Sequence, residues 1–171
     1  MRKVVLFIAT SLDGYIARST GAVDWLFTDQ DYSYTPFFSN VSTVLMGRKT
    51  YEQILTFEHY PYQGVEGFVF SRSRAHQRDQ NVTFIAPDLP TFIAHLQKEV
   101  TGKDLWLVGG ADLIQAFLIY NLIDEFVISI HPIILGEGIP LFKAPLPRQN
   151  LTLKRTQSFE TGLLQVTYSR L

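Results

Sequence analysis

The segment Val44-Leu45-Met46-Gly47-Arg48-Lys49-Thr50-Tyr51-Glu52-Gln53-Ile54-Leu55 changes its hydrophobic period at one glycine. Val41 to Met46 reads as a buried strand, and Lys49 to Leu55 reads as a helix. A strand that leaves through glycine into a helix places unpaired N–H groups at the carboxyl end of a strand, where α/β sheets bind ligands. Such N–H groups suit an anion, and glycine lets it approach bare backbone. Arg48 and Lys49 add two cations and Thr50 a hydroxyl, which is chemistry for a pyrophosphate or ribose phosphate. The same residues also describe a tight turn followed by solvated cations, so this segment by itself supports either reading.

A second segment repeats the pattern. Leu105 to Val108 is a buried-strand run, Gly109-Gly110 removes two side chains at its exit, and a helix follows through Ala111, Asp112 and Leu113 to Tyr120. A Gly-Gly turn is not a full dinucleotide fingerprint, and singly it describes close helix–strand packing. Two such turns in 171 residues favour a nucleotide that spans both.

The remaining elements alternate in the same way. Lys3 to Thr10 is a nearly all-apolar strand, expected to be central and buried on both faces. Ser11 to Gly14 is a turn, Tyr15 to Ala17 is extended, and Arg18 to Asp24 is a polar loop. Between Trp25 and Asn40 a short helix is expected, capped by Asp24 or Thr28, or else beginning at Pro36. Tyr32, Tyr34, Phe37 and Phe38 give that region an aromatic cluster. Phe68 to Phe70 is a strand, and Ser71-Arg72-Ser73-Arg74 just past it is either a polar turn or a grip for an adenosine 2′-phosphate. Asp88, Pro90 and Thr91 open a helix that runs to about Val100 and stops at Thr101-Gly102. After Ile123 only strands remain: Glu125 to His131, with Ser129 and His131 on one side, and a hairpin of Leu151 to Phe159 and Leu163 to Arg170. This order predicts an α/β fold, with a mixed, mostly parallel sheet, helices on both faces and a C-terminal antiparallel hairpin.

Composition removes several function classes. The length fits one domain spanning residues 1–171, with 46% hydrophobic and 18% charged residues. A net charge of −1 supplies no basic field for nucleic acid, and no apolar run is long enough to span a membrane. The start of the chain passes directly into a strand, there is no cysteine, and the four histidines lack metal-ligand spacing. A cytoplasmic protein without a metal centre is the expectation.

Three groups of residues, taken in order, resemble the dihydrofolate reductase superfamily. They are Ala9-Thr10-Ser11-Leu12-Asp13-Gly14-Tyr15-Ile16-Ala17, then Met46-Gly47-Arg48-Lys49-Thr50-Tyr51-Glu52, then Val108-Gly109-Gly110 with Pro132-Ile133-Ile134-Leu135-Gly136-Glu137-Gly138-Ile139-Pro140-Leu141-Phe142. The likeness is to the branch that holds the reductase domain of bifunctional riboflavin biosynthesis proteins and its stand-alone relatives. It implies a three-layer dihydrofolate-reductase-like fold and NADPH as cofactor. It places Ala9 and Ile16 beside the nicotinamide, with the Arg18–Asp24 loop closing over it. Gly47, Arg48, Lys49, Thr50, Val108, Gly109, Gly110, Ala111, Asp112 and Leu113 fall at the phosphates and ribose, and Ser71 and Arg72 at a 2′-phosphate. Asp31 lies at a distance before the Gly-Arg turn similar to that of the pterin-holding carboxylate of folate reductases, although Asp29 is close too and an acid there also reads as stabilising a helix N-terminus; Tyr34, Phe38 and His131 are further substrate-side candidates. The implied activity is hydride transfer to a small heterocyclic or ribosylaminopyrimidine-like substrate. The rivals are a dihydrofolate reductase and a non-catalytic nucleotide-binding protein on the same fold. No single proton donor stands out: Asp13, Asp31, Asp112 and His131 qualify by type, and water is an alternative. A phosphorylated substrate would need a further Arg/Lys cluster that the sequence does not offer. The resemblance also suggests a homodimer, and the apolar Ile123 to Leu141 stretch is its candidate surface.

Overall fold

Val4–Ser11 (β1) lies at the centre of the sheet, as its apolar run requires. It pairs in parallel with Glu125–His131 (β7) on one side and with Asp104–Gly109 (β6) on the other. Outward from β6 come Val41–Gly47 (β3), Glu66–Phe70 (β4) and Thr83–Ile85 (β5), all parallel. Beyond β7 lies the antiparallel hairpin of Leu151–Ser158 (β9) and Leu164–Arg170 (β10), giving the order β5-β4-β3-β6-β1-β7-β10-β9. Tyr15–Ala17 (β2) pairs separately with Ile139–Pro140 (β8). The computed structural model describes residues 1–100 and 102–171.

Among the described residues four helices cover the sheet: Tyr34–Ser39 (α1), Arg48–Ile54 (α2), Leu89–Lys98 (α3) and Ala111–Ile119 (α4). Strand side chains alternate between two cores. Leu6, Leu45, Leu105 and Leu107 pack with Ile93 and Leu96 of α3 and Ile114 and Phe117 of α4. Val44, Met46, Trp106 and Phe7 pack with Tyr51 of α2 and Phe37 and Phe38 of α1. The three layers follow from that alternation: each strand residue that turns away from one helix pair must find the other.

Neither Asp24 nor Thr28 opens a helix, because residues 24–33 form turns and α1 begins only at Tyr34. Pro36 sits in its first turn, where its missing N–H leaves no helical bond unmade. α3 begins as expected, with Asp88 accepting from the Thr91 N–H at 3.2 Å, but ends at Lys98. The expected stop at Thr101 lies outside the described residues. Ile123, Phe126 and Leu141 of the apolar Ile123 to Leu141 stretch are buried in the chain's own core, whereas Ile134 is 70% exposed. Among the described residues no helix is long and apolar enough to cross a membrane.

At the amino edge of the sheet the chain buries a cation. The Arg2 guanidinium, in a residue only 3% exposed, donates to the carbonyls of Lys103 (2.7 Å) and Leu96 (3.0 Å). It also donates to Ser42 Oγ and Thr43 Oγ1, each at 2.7 Å, and pairs with Glu99. Those groups belong to β3, to the end of α3 and to the approach to β6, so one side chain joins three elements. Replacing it leaves buried acceptors without donors. Arg2→Met is expected to lower the unfolding free energy by roughly 3 kcal/mol in urea denaturation. An unchanged midpoint would remove Arg2 from this role.

Candidate functional site

The parallel register brings the two glycine turns together. Gly47 pairs with Phe70, and Met46 with Gly109, so Ser71, Gly47 and Gly109-Gly110 stand in a row at the carboxyl edge. A methyl group on Gly47 would stand 3.7 Å from Gly110 N, and one on Gly110 would stand 3.1 Å from Thr50 Oγ1. Gly109 has φ +127°, a region that disfavours other residues. α2 leaves β3 toward one face and α4 leaves β6 toward the other. The β3–β6 boundary is therefore a topological switch point, with a crevice floored by bare backbone. The N-caps of both helices are glycines, which have no side chain to satisfy the first N–H groups.

The side chains around this crevice are mixed in role. Arg48 pairs with Glu52 at 2.5 Å on the half-exposed surface of α2, and Lys49 is exposed. Ser71 is buried, donates its N–H to Ile85 O at 2.8 Å and lies 3.3 Å from Ser73 through the hydroxyls. Arg72 is exposed, while Arg74 stacks 3.7 Å above the Phe84 ring. Val108 and Leu113 turn into opposite cores, and Ala111 is buried at the start of α4. Asp112 pairs with Lys143 on the surface. Ile16 packs toward the α3–α4 core from β2. The Arg18–Asp24 loop is closed by its own ion pair at 2.6 Å, and its Gly21 carbonyl accepts from Gln53 of α2 at 2.8 Å.

Further along the same edge, past Ala9, a pocket of about 430 Å3 opens on the α1 side of β1 and β7. Phe7, Ala9, Phe27, Asp31, Tyr34 and His131 are among its walls. Asp31 Oδ1 accepts from Thr35 N at 3.0 Å and from Thr35 Oγ1 at 2.6 Å, steadying the start of α1. The Tyr34 phenol is pushed above its ordinary pKa by burial and by the Asp31 charge, so it stays neutral. Phe38 is not in the wall: it stacks behind Tyr34 at 5.5 Å and meets Trp106 and Tyr62.

His131 lies in the wall and is 3% exposed, with both ring nitrogens engaged. Nδ1–H donates to the Ser129 carbonyl at 3.3 Å, and Nε2 accepts from the Phe27 N–H at 3.2 Å. That pair of partners fits only the neutral imidazole. Trp25 and Phe27 pack on its ring at 5.2 and 4.9 Å. It is thus a peg that seats the 24–33 segment over β7. Asp13 is similarly occupied: it accepts from Ser11 Oγ at 2.7 Å and from the N–H groups of Leu135 (3.1 Å) and Gly136 (2.8 Å). The Ser11 bond first, then those N–H groups, hold its carboxyl below the ordinary range.

Sequence reasoning passed over Phe7, Phe27, Gln30 and Ser129 as wall residues. The spacing of Ser129 from His131 was signal enough for one of them. Phe27 and Gln30 lie on a turn-rich segment without a period, so nothing local announced them.

A protein-family model described as the RibD C-terminal domain matches residues 2–165. The chain belongs to the RibD C-terminal domain family. The uncharacterised protein YwjB of Bacillus subtilis strain 168 is 41% identical over 173 residues, covering 99% of this chain and 98% of that protein. A protein of Shewanella sp. PV-4, provisionally named a riboflavin biosynthesis protein, superposes with a TM-score of 0.87 at 33% identity, over 100% of this chain and 99% of that one. A diaminohydroxyphosphoribosylaminopyrimidine deaminase/5-amino-6-(5-phosphoribosylamino)uracil reductase of Thermotoga maritima gives 0.75 at 16% identity, over 99% of this chain and 57% of the other. That last likeness is one of fold. The three-layer architecture is accordingly the dihydrofolate-reductase-like one of RibD C-terminal domains, expected from the motif order.

Burial holds the His131 imidazole below its ordinary pKa, and its bond to the Ser129 carbonyl opposes this more weakly. The unfolded chain therefore takes up a proton near pH 6.5 that the folded chain refuses until lower pH. Stability should fall as pH drops below about 6.5, and the slope in this window should flatten in a His131→Phe variant. Urea unfolding at a series of pH values measures both, and equal slopes would show that His131 is not the group responsible.

Proposed function

We propose that this chain is an NADPH-dependent reductase, with the dinucleotide laid along the carboxyl edge from Ser71 and Arg72, across Gly47 and Gly109-Gly110, to Ala9 beside the ring pocket. The observation that carries this reading is the bare-backbone crevice at the β3–β6 switch point, continuous along one edge with a ring-sized pocket. From β4 to β7 is four strand spacings, about 19 Å, room for an extended ligand with a second ring at its end. The cradle fits a diphosphate because the volume a Cβ would take at Gly110 is left open beside Thr50 Oγ1.

NADPH, when bound, supplies a hydride, and the reaction class is reduction of a C=N or C=O bond of a small polar ring or an opened sugar. The chain's own residues bind, orient and exclude water. Ser71 and Arg72 stand where a 2′-phosphate would distinguish NADPH from NADH. Arg48 turns from Glu52 to the diphosphate, a change its half-exposed position permits. The Asp13 carboxylate and both His131 nitrogens are already engaged, and Asp112 is paired with Lys143, so of the candidates by type Asp31 in the pocket wall, or water, is left to supply the proton. The proposed setting is cytoplasmic, and the proposed assembly is a homodimer. A solution mass of one chain in sedimentation would remove the dimer.

A titration of the purified protein with NADPH and, separately, with NADH tests the cofactor assignment. Clear preference for NADPH is expected, and binding of neither would leave the glycine turns as architecture. Arg48→Ala should weaken NADPH binding by about 1.5–3 kcal/mol, the range for a hydrogen bond to a charged group. Unchanged affinity in a folded variant would sink that role. Saturable NADPH binding without oxidation by any pyrimidine, pterin or flavin would favour the non-catalytic rival.

A further inference from the structure

Charge divides the carboxyl edge in two. Arg48, Lys49, Arg72 and Arg74 follow the exits of β3 and β4. On the pocket side, residues 4–17, 24–47, 119–142 and 156–169 contain no lysine or arginine, and these segments supply every wall of the pocket. Arg18, next in sequence, is held by Asp24 at 2.6 Å. His131 is kept neutral by its two hydrogen bonds.

What the walls do offer is flat and uncharged, apart from one carboxylate. Phe7, Phe27, Tyr32 and Tyr34 supply ring surface. Asp31 is the only formally charged wall residue, and a carboxylate with three accepted bonds retains capacity for another. Ser129 Oγ accepts from Gln165 Nε2 at 3.0 Å, which leaves its own proton for a ligand. Close to the walls, the Tyr32 hydroxyl donates to Asp29 at 2.6 Å and lies 3.1 Å from Thr161, beside Glu160. A phosphate entering here would shed water without meeting a cation and would approach carboxylates.

We infer that the pocket takes a flat, unphosphorylated heterocycle whose N–H groups meet Asp31, and that it discriminates against the phosphorylated form of the same molecule. This goes further than the reductase reading and rests on it only for the pocket's neighbour. It separates this chain from the phosphoribosylated substrate named for the Thermotoga protein, whose 16% identity carries fold alone.

Calorimetric titration with 5-amino-6-(ribosylamino)uracil and with its 5′-phosphate, each without cofactor, tests it. The unphosphorylated compound should bind at least about tenfold tighter, since like-charge juxtaposition opposes the other. Gln30→Lys, which adds a cation to the wall, should narrow or reverse that ratio, and Asp31→Asn should weaken the unphosphorylated ligand. Equal or tighter binding of the phosphate by the unaltered protein overturns the inference. Binding of neither compound also overturns it, while intact NADPH binding in the same sample would leave the cofactor reading standing. Discrimination between the pair without NADPH binding would do the reverse.

Discussion

Six strands that all run the same way put all six exits on one edge of the sheet, and the rest of the molecule follows from that constraint. Parallel strands need crossovers, the crossovers here are helices except between β4 and β5, and helices on both faces demand strands that are apolar on both sides. The run VVLFIATS in β1 and the alternating cores on either side of Leu45, Leu105 and Leu107 are the sequence's answer. The same directionality starts α2 and α4 at the exit edge, each with N–H groups that no helical carbonyl can reach.

The two edges of the sheet meet their polar groups in different ways. At the amino edge the chain uses side chains. Asp104 accepts from Lys3 N at 2.9 Å and Asn40 Nδ2 at 2.9 Å, and Asp124 accepts from Val4 N at 2.9 Å and Gln97 Nε2 at 3.0 Å. The Arg2 fork closes the remaining carbonyls and hydroxyls there. At the carboxyl edge, glycines stand where such side chains would be, at Gly47, Gly109 and Gly110. The amino edge is thus satisfied from within, as is the carboxyl edge beside β1 and β7, where Asp13 and His131 accept from backbone N–H groups, while the exits of β3 and β6 are left bare. That asymmetry argues for a ligand more strongly than either glycine turn does alone.

Much of this was legible in the sequence because it is periodic. Strand positions, the switch from alternating elements to strands alone, and the two strand–glycine–helix turns all follow from residue spacing and from what glycine permits. The juxtaposition of Gly47 with Gly110 was not legible, since it depends on β6 inserting between β3 and β1, and nothing local encodes strand order. Of the two helix starts that the sequence allows between Trp25 and Asn40, the one at Pro36 lies in the first turn of α1, while Asp24 and Thr28, good caps in isolation, open no helix. The conformation of the 24–33 segment is set by long-range contacts instead: Phe27 N–H on His131, and Gln165 on the Tyr32 carbonyl at 3.2 Å. Arg2 escaped notice for the same reason, as its partners lie 40 to 101 residues away.

His131 shows how residue type misleads when geometry is missing. A histidine two residues from a serine, at a strand exit in a reductase-like fold, invites an acid–base role. Its surroundings assign it another. A proton donor needs a nitrogen that can gain and lose a proton at the ligand, whereas here one nitrogen is spent on a carbonyl and the other accepts from a backbone N–H. Protonating Nε2 would set a donor against the Phe27 donor and loosen the segment that forms the pocket's wall. The imidazole therefore stays neutral because the pocket is folded, and the pocket stays folded because the imidazole is neutral. A reaction that draws its proton from this side chain would have to break its own binding site, which leaves Asp31 or water as the consistent sources.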